Sequence, residues 1–276
     1  MKVLVLSDIH ANLVALESVL NAASRQYDAL WCLGDIVGYG PRPNECIELI
    51  RDQATICVMG NHDWAALDRS GLAIDEFVPH AQQAVLWTRA QLTSKSRTFL
   101  DQLSDQPLHP LPSDDILLTH ASPREPVWEY VTTPSIALEN FELFREKICL
   151  FGHTHKPVVF RWSGSGKESK STRVAGVRLP KMTDFFKTRP TTVNYIKFQV
   201  DEILRLKISE QQRFMLNPGS VGQPRDGDAR ASYAFLDTSN MTWQYKRVAY
   251  PVELTQNEMR NAGLPKRLID RLSLGW

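Results

Sequence analysis

The sequence predicts an α/β protein, and three observations carry that prediction. Short β-rich apolar runs alternate with segments of helical period through the first half, the signature of a sheet with crossover helices. Beyond residue 156 the pattern changes to short alternating runs, as in antiparallel hairpins. A chain of 276 residues, 43% hydrophobic and 23% charged, can bury a substantial core in one large domain.

Strands are expected near 2–7, 29–33, 54–59, 115–119 and 147–151. Between the first two, Leu13, Leu16 and Leu20 share one face of a helix that Asn12 can cap. Pro43 opens a second helix toward Arg51, since a helix start does not use the N–H that proline lacks. Helical period over 79–92 and 96–103 makes an insert at about 64–105 mostly helical. The second half offers strands at 158–160, 193–200, 203–208, 214–216, 233–236 and 241–248, then helices at 253–261 and 266–272. Residues 1–250 read as one domain with a hairpin-rich, basic insert at about 158–213, and 251–276 as its C-terminal helical segment.

Composition narrows the function. A formal net charge of +1 gives no global field to draw the chain onto nucleic acid or an anionic membrane, so any anion preference must be local. Cys32, Cys46, Cys57 and Cys149 show no C-x-x-C spacing and read as small core residues in a reducing compartment. The apolar start is too short for a signal peptide and no run approaches membrane-spanning length, so a cytoplasmic location is expected.

The chemistry lies at the strand ends. Val3 to Leu6 runs into Ser7-Asp8-Ile9-His10, and Leu30 to Leu33 into Gly34-Asp35. Ile56 to Met59 runs into Gly60-Asn61-His62-Asp63, Ile116 to Leu118 into Thr119-His120, and Ile148 to Phe151 into Gly152-His153-Thr154-His155. In an open α/β sheet the carboxyl ends share one edge, so these groups would converge. Turns and helix caps explain such residues singly. They do not explain why five of the seven histidines fall at strand ends beside acids. Metal chemistry does, and a nitrogen and oxygen donor set without thiolate suits Mn, Fe, Co, Ni or Zn better than Mg or Ca.

In this order, D-x-H, G-D, G-N-H-D, a lone His and G-H-x-H resemble the motif set of the calcineurin-like metallophosphoesterases. The likeness spans about residues 1–160 and resumes at 217–237, "NPGSVGQPRDGDARASYAFLD", which with "GDIVGYGPRPNE" resembles the bacterial and archaeal small phosphoesterase branch. It implies a four-layer α/β/β/α sandwich of two mixed sheets with a helical insert. It also implies two divalent transition-metal ions, manganese favoured, one held by Asp8, His10, Asp35 and His155 and the other by Asp35, Asn61, His120 and His153. The implied activity is hydrolysis of phosphomonoesters or phosphodiesters through a hydroxide bridging the ions, as a phosphatase or phosphodiesterase. His62, oriented by Asp63, resembles the family's general acid.

Some residues stay open. Tyr39 could stack on or hydrogen-bond a substrate, or be an ordinary loop tyrosine; Arg225 could pair bidentately with a phosphate, or form a surface ion pair. His80 and His109 match no motif and read as structural. Segment 161–189 has eight basic against two acidic residues, and its Gly/Ser-rich start reads first as a solvated loop. It also supports an alternative, a catalytically silent metal-binding module that holds RNA or nucleotides through that segment. The expected partner is a phosphate-ester substrate, with no membrane; oligomeric state is not legible.

Overall fold

The computed structural model of the protein describes residues 1–69, 74, 77–111, 113–164 and 191–276. In chain order its elements begin with β1 (Lys2–Leu6), α1 (Leu13–Ala23), β2 (Ala29–Cys32), α2 (Pro43–Gln53), β3 (Ile56–Cys57) and α3 (Asn61–Ala66). There follow α4 (Pro79–Gln91), α5 (Ser94–Asp101), β4 (Ile116–Leu118), α6 (Pro134–Phe141), β5 (Ile148–Leu150), β6 (Val158–Ser163) and β7 (Thr192–Tyr195). The chain closes with β8 (Ile203–Arg205), β9 (Gln212–Asn217), β10 (Ala231–Asp237), β11 (Thr242–Val248), α7 (Val252–Asn261), α8 (Lys266–Asp270) and a 3-10 turn, Arg271–Leu274.

Two mixed sheets result, ordered β3-β2-β1-β10-β11-β8 and β4-β5-β9-β6-β7. Strand alternation divides the core into layers. Val3, Val5, Trp31 and Leu33 point between the sheets, where they meet Ile116, Leu118, Ile148, Leu150 and Leu216. The intervening Leu4, Leu6, Leu30 and Cys32 turn the other way, onto Leu16 and Val19 of α1 and Ile47 and Ile50 of α2. On the far side of the second sheet, Leu117, Cys149 and Met215 pack on Phe141 of α6 and on Phe144. Strands buried on both faces must be apolar throughout, which is why β1 and β2 read as unbroken apolar runs. Each leucine so buried contributes about 1.5–3 kcal/mol of transfer free energy. The four-layer sandwich is therefore the observed fold.

Three expectations need correction. The second half is not purely antiparallel: β9 pairs parallel with β5 as well as antiparallel with β6. Its short apolar run sits between two strands, and its own period carries no information about either partner's direction. The strand expected at 193–200 ends at Tyr195: Ile196 makes a last backbone bond to the Val159 carbonyl at 2.9 Å, and beyond it Phe198 packs on Tyr245. The run at 54–59 keeps only Ile56–Cys57 in the sheet. The basic segment weighed for polyanion binding lies, from residue 165 to 189, outside the described residues.

The C-terminal helices position the site from outside. Met259 of α7, Leu268 and Ile269 of α8, and Leu272 pack on Ala81 and Ala84 of α4 and on Tyr39, so the chain's end lies against the loop after β2. Among the described residues, no helix is long and apolar enough to cross a membrane.

Candidate metal centre

Both sheets aim the carboxyl ends of their parallel strands at one place. The loops after β1 and β2 are laced together by backbone bonds, Asp8 N to the Gly34 carbonyl at 3.1 Å and His10 N to the Asp35 carbonyl at 2.9 Å. From the second sheet, Gly152 N donates to the His120 carbonyl at 2.7 Å. Asp8, His10, Asp35, His153 and His155 all adopt left-handed φ values, between 51° and 64°. For non-glycine residues that conformation costs on the order of 1–3 kcal/mol each, so it persists only where surrounding structure enforces it. Five strained residues in one cluster mark a site shaped for something other than stability.

The side chains form two groups that share a carboxylate. Asp8, His10, Asp35 and His155 each offer a ligand atom within 4.8 Å of the others, and so do Asp35, His120 and His153; all are buried. In the first group His10 Nε2 lies 3.0 Å from His155 Nε2 and 3.5 Å from Asp35 Oδ2, and His155 Nε2 lies 3.5 Å from Asp8 Oδ1. In the second, His120 Nε2 lies 3.2 Å from Asn61 Oδ1, 3.2 Å from His153 Nδ1 and 3.6 Å from Asp35 Oδ2. Asp35 Oδ1 accepts from the His62 backbone N–H at 2.8 Å, whereas Oδ2, facing both groups, is buried with no partner. Gly60 permits this approach: a Cβ there would stand 2.0 Å from Asp35 Oδ1.

The outer ring nitrogens determine what the inner ones present. His10 Nδ1 faces the Val37 carbonyl at 3.1 Å, His120 Nδ1 that of Leu33 at 2.7 Å, His155 Nδ1 that of Gln223 at 2.6 Å, and His153 Nε2 that of Trp128 at 3.0 Å. A carbonyl can only accept, so these partners assign the N–H to the outer nitrogen and leave a lone pair on each inner one. The inward 3.0 and 3.2 Å contacts then set lone pair against lone pair, an arrangement that calls for cations between them. Burial also opposes bare charge here. It raises the Asp8 carboxyl to about 7, partly offset by His120, raises Asp35 well above the carboxylate range, and lowers His10, His153 and His155 well below the usual imidazole value. Neutral imidazoles, one orphaned carboxylate oxygen and the absence of thiolate fit divalent transition-metal ions.

The other sequence candidates take varied places. His62 is buried beside the cluster, its ring edge-on to His10 at 4.9 Å between centroids, and its Nδ1 has no partner. Asp63 does not orient that ring. It sits at the third position of α3, so its carboxylate reaches back to Gly60 N and across to Val37 N, both at 3.0 Å, and it fixes two loops instead. Tyr39 packs against both His10 and His62, and Arg225 Nη2 reaches Gln223 Oε1 at 2.9 Å and the Tyr39 hydroxyl at 3.4 Å. His109 pairs with Glu146, away from the centre. His80 lines the cavity of about 420 Å³ that opens onto Asn61, His62 and His153. Phe77, Trp128, Tyr130 and Arg271 also line that cavity, and sequence reasoning missed all four. None belongs to a motif; the one available signal was the aromatic pair Trp128 and Tyr130 a few residues after His120.

The chain is similar to known proteins. The family model described as calcineurin-like phosphoesterase matches residues 1–157. The crystal structure of a metallophosphoesterase from Sphaerobacter thermophilus is similar over 100% of this chain and 99% of that one, with 39% identity and a TM-score of 0.78. The protein MJ0912 of Methanocaldococcus jannaschii is 33% identical over 274 residues, 98% of this chain and 97% of that protein. A symmetrical bis(5′-nucleosyl)-tetraphosphatase of Aliivibrio fischeri is 29% identical over 119 residues, 42% of each chain. By motif order, fold and these likenesses, the chain belongs to the calcineurin-like phosphoesterases, metal-dependent hydrolases that act on phosphate esters.

Proposed function

We propose that the protein is a binuclear phosphoesterase that hydrolyses phosphomonoesters or phosphodiesters at the Asp35 centre. The observation that carries this reading is Asp35 itself, one carboxylate common to two ligand groups, with its inner oxygen unpartnered. When bound, two divalent cations supply Lewis-acid polarisation of the phosphoryl group and acidify a coordinated water. Asp8, His10, Asp35 and His155 would hold one ion, and Asp35, Asn61, His120 and His153 the other. The donor set of imidazoles, carboxylates and an amide admits Mn, Fe, Co, Ni or Zn, of which manganese is the ion we favour from the family resemblance, and free Cys32, Cys46, Cys57 and Cys149 accord with a reducing, cytoplasmic setting.

The chain's own groups do the rest. The four outer carbonyls keep the imidazoles oriented, so the ligand atoms need no rearrangement when charge develops. His62, adjacent to the ligand Asn61 and facing the cavity, is placed to donate a hydrogen bond to the leaving oxygen. Its field changes during binding. Burial, and then the charge of Arg225, hold its proton affinity well below the usual imidazole value, and the negative charge of an arriving phosphate ester would raise it. Asp63 acts on the reaction only through the loops it fixes. Arg225 presents a guanidinium to the same cavity, where a phosphoryl oxygen would be its strongest acceptor.

Initial rates with p-nitrophenyl phosphate and its bis-aryl diester, with and without Mn²⁺, test the proposal beside a His120→Ala control. Metal-dependent turnover that disappears in the variant is expected, and the monoester-to-diester ratio assigns the ester class. Turnover unchanged by His120→Ala would overturn the site.

A further inference from the structure

Glu129 belongs to none of the motifs and is not part of the cavity wall, yet both its neighbours are, for Trp128 and Tyr130 line the cavity on either side of it. The Trp128 carbonyl faces His153 Nε2 at 3.0 Å, and the Tyr130 ring covers the His153 imidazole with centroids 4.0 Å apart. His153 is thereby gripped at its outer edge and over one face. Glu129 itself turns the other way, toward α6.

There its carboxylate collects three donors. Oε2 accepts from the Ser122 hydroxyl at 2.6 Å and from the Asn140 amide at 2.8 Å, and Oε1 pairs with the Arg124 guanidinium. Ser122, two residues beyond His120, and Asn140, in α6, are both fully buried. The anchors are themselves tied, since the Arg124 backbone N–H donates to Asn140 Oδ1 at 3.0 Å and that of Glu125 to Ser122 Oγ at 2.9 Å. Burial opposes the charge on Glu129, but the bonds from Arg124, Ser122 and Asn140 outweigh it and hold the carboxyl below its usual range. Without that carboxylate a buried hydroxyl and a buried amide N–H lose their acceptor, and residues 128–130 lose their tie to α6.

The tie matters because a neutral imidazole has two tautomers, and only one of them can ligate through Nδ1. The Trp128 carbonyl selects the form protonated at Nε2, which leaves the Nδ1 lone pair turned inward, 3.2 Å from His120 Nε2. No substitution deletes a backbone carbonyl, but a side chain that fixes its place can be removed. We propose that Glu129 is a positioning residue of the second ligand group: by tying residues 128–130 to Ser122, Arg124 and Asn140, it keeps the Trp128 carbonyl and the Tyr130 ring on His153. The consequence for a second ion rests on the binuclear reading, whereas the consequence for the His153 tautomer does not.

The test uses the whole chain as wild type, Glu129→Ala, Glu129→Gln and, as control, Glu139→Gln, which removes only the outer, half-exposed partner of Arg124. Two quantities are read: the dissociation constants of Mn²⁺ by calorimetric titration, and the His153 tautomer in metal-free protein by long-range ¹H–¹⁵N correlation of labelled imidazoles. Wild type and Glu139→Gln should bind two ions and show His153 protonated at Nε2 alone. In Glu129→Ala one of the two affinities should fall by about 10–100-fold and the tautomers should mix, while the other affinity stays within about threefold. On a His120→Ala background, which keeps only the first group's ion, Glu129→Ala should leave that ion's affinity unchanged. Glu129→Gln retains an acceptor but not the charge, so one affinity should fall by about threefold. A residue that serves stability alone would lower Tm without separating the two ions or moving the tautomer. Glu129→Ala with both affinities at the wild-type value and a single tautomer overturns the proposal. If that variant does not fold, Glu129→Gln decides, and wild-type affinities with a single tautomer there overturn it equally. One ion bound by the wild type would sink the binuclear reading instead, and the tautomer alone would then judge Glu129.

Discussion

Replacing Gly60 with alanine should disable the centre by a purely steric route. Gly60 has φ −93° and ψ 169°, a conformation any residue adopts, so backbone preference is not what requires glycine there. The added Cβ would lie 2.0 Å from Asp35 Oδ1, 2.2 Å from Asp35 N and 2.7 Å from Asp35 Cγ. Backbone is among those atoms, so no side-chain rotation relieves the clash. To reach ordinary contact the two loops must separate by about 1 Å or more, which moves the shared carboxylate from one or both ligand groups. Overpacking of this kind costs about 1–3 kcal/mol, or a Tm fall of roughly 2–12 °C. A displacement of that size at reacting groups costs on the order of 10²-fold in kcat/KM. Gly263→Ala is the control, since Gly263 has φ +69° with nothing within 4 Å of its Cβ position. It should lose about 1 kcal/mol of stability and no activity. Initial rates, thermal melts and bound-metal analysis on the two variants settle the matter. Gly60→Ala with kcat/KM within about threefold of wild type and full metal content would refute the reasoning.

Other consequences follow from the same geometry. His120→Ala removes a ligand from one group only, so elemental analysis after dialysis should find about one ion per chain in place of about two. Asp63→Ala strips the acceptor from two buried N–H groups, Gly60 and Val37, at about 1–3 kcal/mol each, so its Tm should fall well below that of Asp63→Asn, which keeps one acceptor. The Asp8 carboxyl, raised to about 7 by burial, holds a proton in the metal-free fold at lower pH, and a cation must displace it. Metal affinity should therefore weaken as pH falls below about 7, by up to about tenfold per unit for one competing proton. Calorimetric titrations at one pH in buffers of different ionisation enthalpy should show proton release; identical heats in both would contradict this.

Much of the candidate centre was legible because each candidate ligand lies within a few residues of the end of an apolar strand. A strand buried on both faces must stop where a polar residue begins, so Leu6 before Ser7-Asp8 and Leu33 before Gly34-Asp35 place those acids at a sheet edge without further information. What sequence could not supply is which distant surfaces meet. Arg271 reaches the cavity only because Leu268, Ile269 and Leu272 dock on α4 and Tyr39, and the apolar period of that helix fits any core equally well. Trp128 contributes its carbonyl to His153, and every residue type carries a carbonyl. Asp63 was misread for a local reason: adjacency to His62 implied a shared role, whereas the third position of a helix directs a carboxylate back to the cap. The parallel seat of β9 beside β5 depends on long-range pairing that a six-residue run does not encode.

The central claim is that Asp35 is common to two metal sites. Anomalous diffraction from crystals grown with Mn²⁺ tests it most directly. Two peaks about 3.5–4 Å apart, with the Asp35 carboxylate between them, are the predicted result. A single peak, or two peaks of which only one lies within bonding distance of Asp35, would contradict it.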